Sequence, residues 1–390
     1  MRKVYLDHAG TTPLHPEVYS LMCDFMKNNF GNPSSMHHSY GREAKKWVDE
    51  ARKRVAALIG AESEEIIFTG SGTEADNLAI IGTAAAKRKK GNHIITSSIE
   101  HPAVLNTCKY LEKNGFDVTY LPVDGYGLVD PEELRRAIRP ETILVTIMHA
   151  NNEIGTIEPI GELSKITREY DILFHTDAVQ TAGKIPVNVK DLGVDLLTLS
   201  SHKIYGPKGV GALYKRKGVR LEPVIHGGGQ EKKMRSGTEN TAGIVGFGKA
   251  AEIAARDLES EYNRTLELRD RLVQGINERI PDVKYNGHPE RRLPHNAHFS
   301  FSYVEGESML LSLDMKGIAA SSGSACSSSN LKRSHVLEAI GLPYELIHGS
   351  LRMTLGRMND AADIDYVLEV LPEIVARLRS FSPLANKLTV

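Results

Sequence analysis

The chain has 390 residues and a formal net charge of -1 at pH 7, with 41% hydrophobic and 25% charged residues. This length is enough for two domains with buried cores. The near-neutral charge excludes a strongly basic surface for nucleic acid and an acidic disordered chain, so we expect small molecules or specific proteins as partners. No apolar run is long enough to span a membrane, and Asp7 interrupts the start before a signal-peptide core forms.

The cysteine content is low. Cys23, Cys108 and Cys326 are too far apart for a disulfide framework or a CxxC metal site. We therefore predict no metal site and a reducing cytoplasm. Cys23 and Cys108 lie in helix-like apolar patterns, which predicts that both pack in the core.

From about residue 65 to 215, short β-branched runs alternate with amphipathic segments. This alternation predicts an α/β fold with a mainly parallel sheet wrapped by helices. The predicted strands cover 65–69, 93–97, 118–121, 142–148, 172–176 and 195–199, and the predicted helices cover 73–89, 102–114, 130–138 and 159–169.

The second part of the chain has a different pattern. One long helix is predicted over 241–278, followed by a smaller α+β unit with strands at 297–303 and 350–355 and a terminal helix at 361–378. Residues 383–390 are predicted to form a loose tail. We predict a large domain over 15–260 and a small domain made of 1–14 and 261–390.

Lys203 and Asp177 each follow a buried apolar run, at the point where a strand ends. Carboxyl ends of parallel strands line the ligand crevice of an open α/β sheet. Pyridoxal phosphate needs an amine to hold its aldehyde as a Schiff base and a carboxylate to keep its ring nitrogen protonated. Lys203 and Asp177 are candidates for these roles. A solvated loop lysine and a helix-capping aspartate are the alternative interpretations.

A glycine-rich turn, Gly70-Ser71-Gly72-Thr73-Glu74, follows a predicted strand and opens a helix. Free N–H groups at a helix start bind phosphate. Ser200, His202 and the loop 234–238 are further candidate phosphate donors. The alternative is an ordinary strand-to-helix turn, since neither the dinucleotide nor the Walker spacing is present.

Two more polar stretches follow predicted strands, namely 149–153 and 100–102. Taken singly, a histidine or asparagine there is more often a turn or capping residue than a ligand contact. Their repetition at one sheet edge favours a site. Arg352 lies within a third apolar strand, where its guanidinium suits a substrate carboxylate. A structural ion pair with an acidic neighbour is the equal alternative.

The segment 321–330 is composed almost entirely of small polar residues around Cys326. Such a composition predicts a mobile loop that carries an exposed thiol. The reactivity of this thiol depends on its thiolate fraction, which a nearby cation or helix start would raise.

Several motifs together resemble a known family. They are 149–155 (HANNEIG), 177–180 (DAVQ), 200–209 (SSHKIYGPKG), 226–231 (HGGGQE), 235–238 (RSGT) and 323–326 (GSAC). In this order they are similar to the cysteine desulfurases of the NifS/IscS type, within the class V aminotransferase family. The resemblance extends from Tyr5 to about Leu384. It implies a fold-type I homodimer that uses pyridoxal 5'-phosphate.

The resemblance also implies roles for individual residues. Lys203 would carry the cofactor, Asp177 would pair with its ring nitrogen, and Cys326 would accept sulfur as a persulfide. The residues matching the remaining family contacts are His101 stacked on the ring, Asn152 and Gln180 at its polar edge, Gly72, Thr73, Ser200 and His202 at the phosphate, Thr238 at the partner subunit's phosphate, and Arg352 with Asn32 at the substrate carboxylate.

The implied reaction converts L-cysteine to L-alanine and passes sulfur through Cys326 to an acceptor protein, for iron–sulfur cluster assembly or thio-modification. Lys203 would act as the base and His101 as a proton donor or acceptor. The pair Ala9-Gly10 departs from the family pattern, and we expect a small local effect. Lys332-Arg333 also departs from it.

The alternative functions are a selenocysteine lyase, a class V transaminase that does not use Cys326, and a sulfur carrier without catalysis.

Overall fold

A computed structural model describes residues 2–322 and 333–382. Its largest unit is a seven-stranded sheet in the order β2-β8-β7-β6-β5-β3-β4. The strands are β1 (Val4–Tyr5), β2 (Ile66–Thr69), β3 (His93–Ser97), β4 (Asp117–Leu121), β5 (Thr142–Thr146), β6 (Leu173–Asp177), β7 (Leu196–Ser200), β8 (Gly211–Lys215), β9 (Val283–Tyr285), β10 (Asn296–Phe301), β11 (Ile318–Ala319) and β12 (Ser350–Thr354).

The predicted mainly parallel sheet is confirmed. Strands β4, β3, β5, β6 and β7 pair in parallel, whereas β8 runs antiparallel to both β7 and β2. Strand β8 was absent from the prediction because its run, Gly211 to Lys215, is short and follows the loop after Lys203 without a helix between them.

Helices cover the sheet and connect it to the second unit. They are α1 (Pro16–Asn28), α2 (Ser39–Leu58), α3 (Gly72–Lys87), α4 (Pro102–Lys113), α5 (Pro131–Ala137), α6 (Ile160–Glu169), α7 (Val189–Leu192), α8 (Thr241–Arg256), α9 (Leu258–Arg279), α10 (Gly306–Asp314), α11 (His335–Ala339), α12 (Tyr344–His348) and α13 (Ala361–Ser380). Within the described ranges, no helix has the length and apolar character needed to cross a bilayer.

The prediction of one helix over 241–278 is wrong. The chain forms α8 and α9, which meet at Asp257. The Asp257 backbone N–H donates to Ile253 O, which ends α8, and its side chain accepts hydrogen bonds from Arg256 and Arg357, each at 2.7 Å. The helical spacing of apolar residues continues across Asp257, so this pattern alone predicts one helix instead of two.

A second hydrophobic core lies apart from the sheet. It joins Val4 and Leu6 to side chains of α9, β10, β12 and α13. Strand β10 lies between β9 and β12, antiparallel to both, and the short β1 pairs with β11 in parallel. The N-terminal residues therefore pack with the C-terminal part of the chain. The domain boundaries proposed from the sequence stay a prediction.

The two described cysteines differ in burial. Cys108 is fully buried in α4, as predicted, whereas Cys23 in α1 is only half-buried. Cys326 and the predicted tail at 383–390 lie outside the described residues.

Helices α2 and α8 pack against each other with their backbones in close contact at Ala51 and Gly248. A Cβ atom added at Gly248 would lie 2.5 Å from Ala51 Cα and 3.2 Å from Ala51 O. Both neighbours belong to a packed helix, so they cannot move aside without shifting α2. Glycine at position 248 is therefore required by close approach rather than by backbone conformation.

We predict that Gly248→Ala destabilises the fold by about 1–3 kcal/mol, because overpacking a tight helix contact forces a backbone shift. Urea unfolding followed by circular dichroism measures this change. The matched control is Gly161→Ala in α6, where the nearest atom is 3.7 Å from the added Cβ and we expect a change within about 0.5 kcal/mol. Equal midpoints for the two variants would contradict the packing account.

Candidate active site

Lys203 ends a single 3-10 turn, Ser201–Lys203, that directly follows β7. Its Nζ atom donates to the backbone oxygens of Ala9 and Gly10, the second at 2.7 Å. Two backbone carbonyls therefore hold the amine beside the N-terminal segment. The sequence prediction placed Lys203 at this edge, and the structure adds the N-terminal segment that holds it.

Tyr205, two residues after Lys203, has a left-handed backbone with φ of 65°. This conformation is costly for a bulky residue. The Tyr205 N–H donates to Thr12 Oγ1 at 2.8 Å, and the Tyr205 hydroxyl accepts from the Arg357 N–H at 2.7 Å. These contacts hold the strained turn after Lys203 in one conformation.

Asp177 is the last residue of β6 and is 7% exposed. One of its oxygens accepts the Val179 N–H at 2.9 Å, so the residue does cap the following turn, as the alternative interpretation held. Burial raises the pKa of Asp177 to about 6, although the Val179 N–H and Lys203 oppose the shift. A buried carboxylate of this kind is stabilised by a cationic partner.

The N-terminal segment Ala9 to Thr12 forms one wall of the site. Gln180 Nε2 donates to Ala9 O at 3.1 Å, and His202 Nδ1 lies 3.0 Å from Thr11 Oγ1. Thr12 Oγ1 donates to His202 O at 2.9 Å. Sequence reasoning assigned no role to this wall. The polar residues that follow the apolar residues at 4–6 could have indicated this wall. They lie far in sequence from the strands of the sheet, so the sequence did not connect them to the site.

The glycine-rich turn opens α3 as predicted. Ser71 caps the helix by accepting the Glu74 N–H at 3.1 Å, and Gly72 and Thr73 occupy its first two positions. The first N–H groups of a helix have no intrahelical acceptor, so those of Gly72 and Thr73 can bind an anion. Gly72 packs against the end of β7, because a Cβ added there would lie 3.3 Å from Ser200 Cβ.

Two side chains of the loop 234–238 bond to other parts of the protein, and the predicted phosphate contact of this loop stays a prediction. The Arg235 guanidinium donates to Glu74 Oε1 at 2.8 Å, and Ser236 Oγ donates to Gly228 O at 2.8 Å. Both side chains therefore hold the loop in place. Thr238 is exposed, which leaves its predicted contact with a partner subunit as a prediction.

His101 caps α4 by accepting the Ala103 N–H through Nδ1 at 3.1 Å. Burial, Lys203 and His335 lower the pKa of His101 to about 4, so its imidazole is neutral near pH 7. Because Nδ1 accepts the Ala103 N–H, the neutral ring carries its hydrogen on Nε2, which can donate it, and the face of the ring can stack on an aromatic ring. The charge of Lys203 contributes to this pKa shift, so the two side chains lie near each other. This agrees with the prediction that both residues lie at the carboxyl edge of the sheet.

Arg352 on β12 is 2% exposed and makes two side-chain contacts. Its Nη2 atom lies 2.9 Å from Asp7 Oδ1, and its Nη1 donates to Asn152 O at 3.0 Å. The ion pair with Asp7 is the alternative that the sequence left open. The backbone of Asn152, rather than its amide side chain, is what contacts the guanidinium.

Asn32 does not join this group. Its side chain accepts the Ser34 N–H at 2.9 Å within an exposed turn, and no hydrogen bond connects it to Arg352 within the described ranges. The proposed help of Asn32 in carboxylate binding stays a prediction, as does the role of Cys326.

The comparisons with known proteins agree with this geometry. The sequence profile described as Aminotransferase class-V matches residues 4–367. The chain is 60% identical over 382 residues to a protein named cysteine desulfurase IscS from Dictyoglomus turgidum, covering 98% of this chain and 97% of the relative. The chain therefore belongs to the class V aminotransferase family, and the resemblance found in its motifs is confirmed.

Solved structures support the same assignment. A NifS-like protein superposes with a TM-score of 0.91 at 39% identity, covering 96% of this chain and 100% of the other. A structure titled SspA in complex with cysteine superposes with a TM-score of 0.81 at 39% identity, covering 90% of this chain and 99% of the other. The predicted α/β fold class is that of these enzymes.

A strained turn precedes the loop that carries Thr238. Glu231, Lys232 and Lys233 have consecutive positive φ values of 43°, 56° and 67°. The buried Glu231 side chain anchors the turn through Arg52 at 2.6 Å and the Phe68 N–H at 2.8 Å. Lys233 is exposed, and its N–H donates to Gln230 O at 2.9 Å. Its side chain therefore adds strain that glycine would relieve.

We predict that Lys233→Gly stabilises the protein by about 0.5–1 kcal/mol, because the relief of left-handed strain exceeds the entropy cost of glycine. Urea unfolding measures the effect. Lys217→Gly is the matched control, since Lys217 is an exposed loop lysine outside the set of positive-φ residues. The control is expected to lose about 0.5–1 kcal/mol. A loss of stability in both variants would contradict strain at position 233.

Proposed function

We propose that this protein is a pyridoxal-phosphate-dependent cysteine desulfurase, which converts L-cysteine to L-alanine and transfers the sulfur to Cys326. The proposal is carried by Lys203 and Asp177 at the carboxyl edge of the seven-stranded sheet, with Arg352 of β12 joined to Lys203 through the turn from Asp7 to Gly10. The chain is also 60% identical to a protein named cysteine desulfurase IscS. An amine, a buried acid and a buried guanidinium match the aldehyde of the cofactor, its protonated ring nitrogen and the carboxylate of an amino acid substrate.

The described residues fit pyridoxal phosphate. Asp177 is a buried carboxylate whose charge would be matched by a protonated ring nitrogen. The start of α3 offers free N–H groups and a positive dipole end for the phosphate. Lys203 offers the amine for the aldehyde. Ser200, His202, Gln180 and Asn152 would complete the contacts at the phosphate and the ring.

When bound, pyridoxal phosphate acts as an electron sink that weakens bonds at the α-carbon of an amino acid and, through them, the carbon–sulfur bond. Lys203 would hold the cofactor and then take the α-proton of the substrate as a general base. Asp177 would keep a proton on the ring nitrogen. Neutral His101 would exchange a proton with the substrate sulfur, and Arg352 would orient the substrate carboxylate.

Cys326 lies outside the described residues, and its role follows from the chemistry. Its thiolate would attack the substrate sulfur, so that the carbon–sulfur bond breaks while a sulfur–sulfur bond forms. Cysteine and the enzyme thiol thus become alanine and an enzyme persulfide, with every hydrogen conserved. The persulfide would then pass its sulfur to an acceptor protein, for which an iron–sulfur scaffold is one candidate.

We further propose a homodimer. Tyr19 and Met26 lie on one exposed face of α1, and Phe30, 76% exposed, stacks on Tyr40 with ring centroids 5.2 Å apart. An apolar surface of this kind usually meets a partner. A second copy would cover it and would bring an exposed Thr238 to the neighbouring cofactor site. The proposed compartment is the cytoplasm, where a working thiol stays reduced.

The test supplies L-cysteine to the purified, cofactor-loaded protein and measures alanine by chromatography and the mass of the peptide containing Cys326. We predict alanine formation and one additional sulfur atom on Cys326. Cys326→Ser should lower alanine formation by at least about a hundredfold, because the sulfur loses its acceptor nucleophile.

Cys23→Ser is the matched control and should keep both signals, since Cys23 is a half-buried residue of α1. A Cys326→Ser variant that still transfers amino groups would support the transaminase alternative. Faster turnover of selenocysteine with little turnover of cysteine would support a lyase. A wild-type protein that forms neither alanine nor a persulfide would overturn the proposal.

A further inference from the structure

The guanidinium of Arg352 already holds a carboxylate. Its Nη2 donates to Asp7 Oδ1 at 2.9 Å and its Nη1 donates to Asn152 O at 3.0 Å. Its Nε is buried and has no hydrogen-bond partner among the described residues. A buried donor without a partner is costly, so this atom marks the direction from which a further acceptor would be bound.

Asp7 is the more accessible member of the pair. Its side chain is 25% exposed, compared with 2% for Arg352. The Asp7 backbone oxygen accepts the Gly10 N–H at 3.0 Å, which closes a turn whose next carbonyl, Gly10 O, accepts from Lys203. A single turn therefore holds both the amine and the guanidinium of the proposed site.

The absence of a side chain at Gly10 leaves space for the Asp7 carboxylate. A Cβ atom at position 10 would lie 2.4 Å from Asp7 Oδ2 and 3.0 Å from Asp7 Oδ1. Any residue other than glycine would displace the carboxylate from this position. The contact at Gly10 reaches the Arg352 ion pair through Asp7, whereas the sequence predicts only a small local effect for the departure at Ala9-Gly10.

We propose that Asp7 is a specificity-determining residue that weakens carboxylate binding at Arg352. The inference rests on the proposed function, in which Arg352 binds the substrate carboxylate. A substrate carboxylate at Arg352 would meet a second negative charge on the same guanidinium, and like charges at this range repel. Simple monocarboxylates would therefore bind poorly. An α-amino acid with a thiol would still bind through its other groups.

Asp7→Asn separates the charge from the geometry. The amide oxygen can still accept a hydrogen bond from Nη2, so Arg352 keeps its orientation while the negative charge is lost. The probe is 3-mercaptopropionate, which has the carboxylate and thiol of cysteine but no amine to react with the cofactor. Its neutral amide, 3-mercaptopropionamide, is the matched control ligand.

Isothermal titration calorimetry on the cofactor-loaded enzyme measures the Kd of each ligand. We predict that Asp7→Asn lowers the Kd of 3-mercaptopropionate about tenfold, since one unit of opposing charge is removed at close range. The Kd of the amide should change less than about twofold, because a neutral ligand does not sense that charge. An unchanged or higher Kd for the carboxylate would overturn the inference.

Gly10→Ala provides a second, independent variant. By displacing the Asp7 carboxylate it should also lower the Kd of 3-mercaptopropionate, and this gain should vanish in the Asp7→Asn background. An equal gain in both backgrounds would show that Gly10 acts without Asp7, which contradicts the inference.

Arg352→Gln distinguishes this inference from the proposed function. If 3-mercaptopropionate binding depends on Arg352 but Asp7→Asn leaves the Kd unchanged, only the inference fails. If binding is insensitive to Arg352→Gln, the carboxylate assignment of Arg352 fails and the inference fails with it. Alanine formation by the wild-type enzyme tests the desulfurase reaction separately from both.

Discussion

The contacts of the turn from Asp7 to Gly10 are the constraint on which the site depends. Carbonyls of Ala9 and Gly10 hold the Lys203 amine, and the Asp7 carboxylate holds the Arg352 guanidinium. Lys203 directly follows β7 of the seven-stranded sheet, whereas Arg352 lies on β12 of the three-stranded sheet. A single N-terminal turn thus sets the position of the proposed cofactor lysine relative to the proposed substrate arginine.

Burial gives the charged groups of the site their chemical properties. Burial raises the pKa of Asp177 and lowers that of His101, so the structure favours the neutral form of each side chain. A cationic ring nitrogen beside Asp177 would offset this penalty, whereas His101 accepts the Ala103 N–H through Nδ1 and keeps its hydrogen on Nε2. The same burial therefore favours a cationic partner for Asp177 and a neutral ring for His101.

Much of this architecture could be predicted from the sequence. The parallel strands were predicted from β-branched runs, and Lys203 and Asp177 from their positions after two of those runs. Three features could not be predicted. Asp257 interrupts helical periodicity with a polar junction, β8 lacks a flanking helix, and the Asp7 turn reaches Arg352 only through folding, across 345 positions of separation. Periodicity reports the regular repeat within one helix or strand, and none of these features belongs to such a repeat.

The most direct test of the account is borohydride reduction of the cofactor-loaded protein, followed by peptide mapping. Borohydride attaches pyridoxal phosphate irreversibly to whichever amine carries its aldehyde. The account predicts that the cofactor mass is found on the peptide containing Lys203 and is lost in Lys203→Ala. Attachment to another lysine, such as the half-buried Lys184, would contradict this assignment, and so would the absence of any attachment.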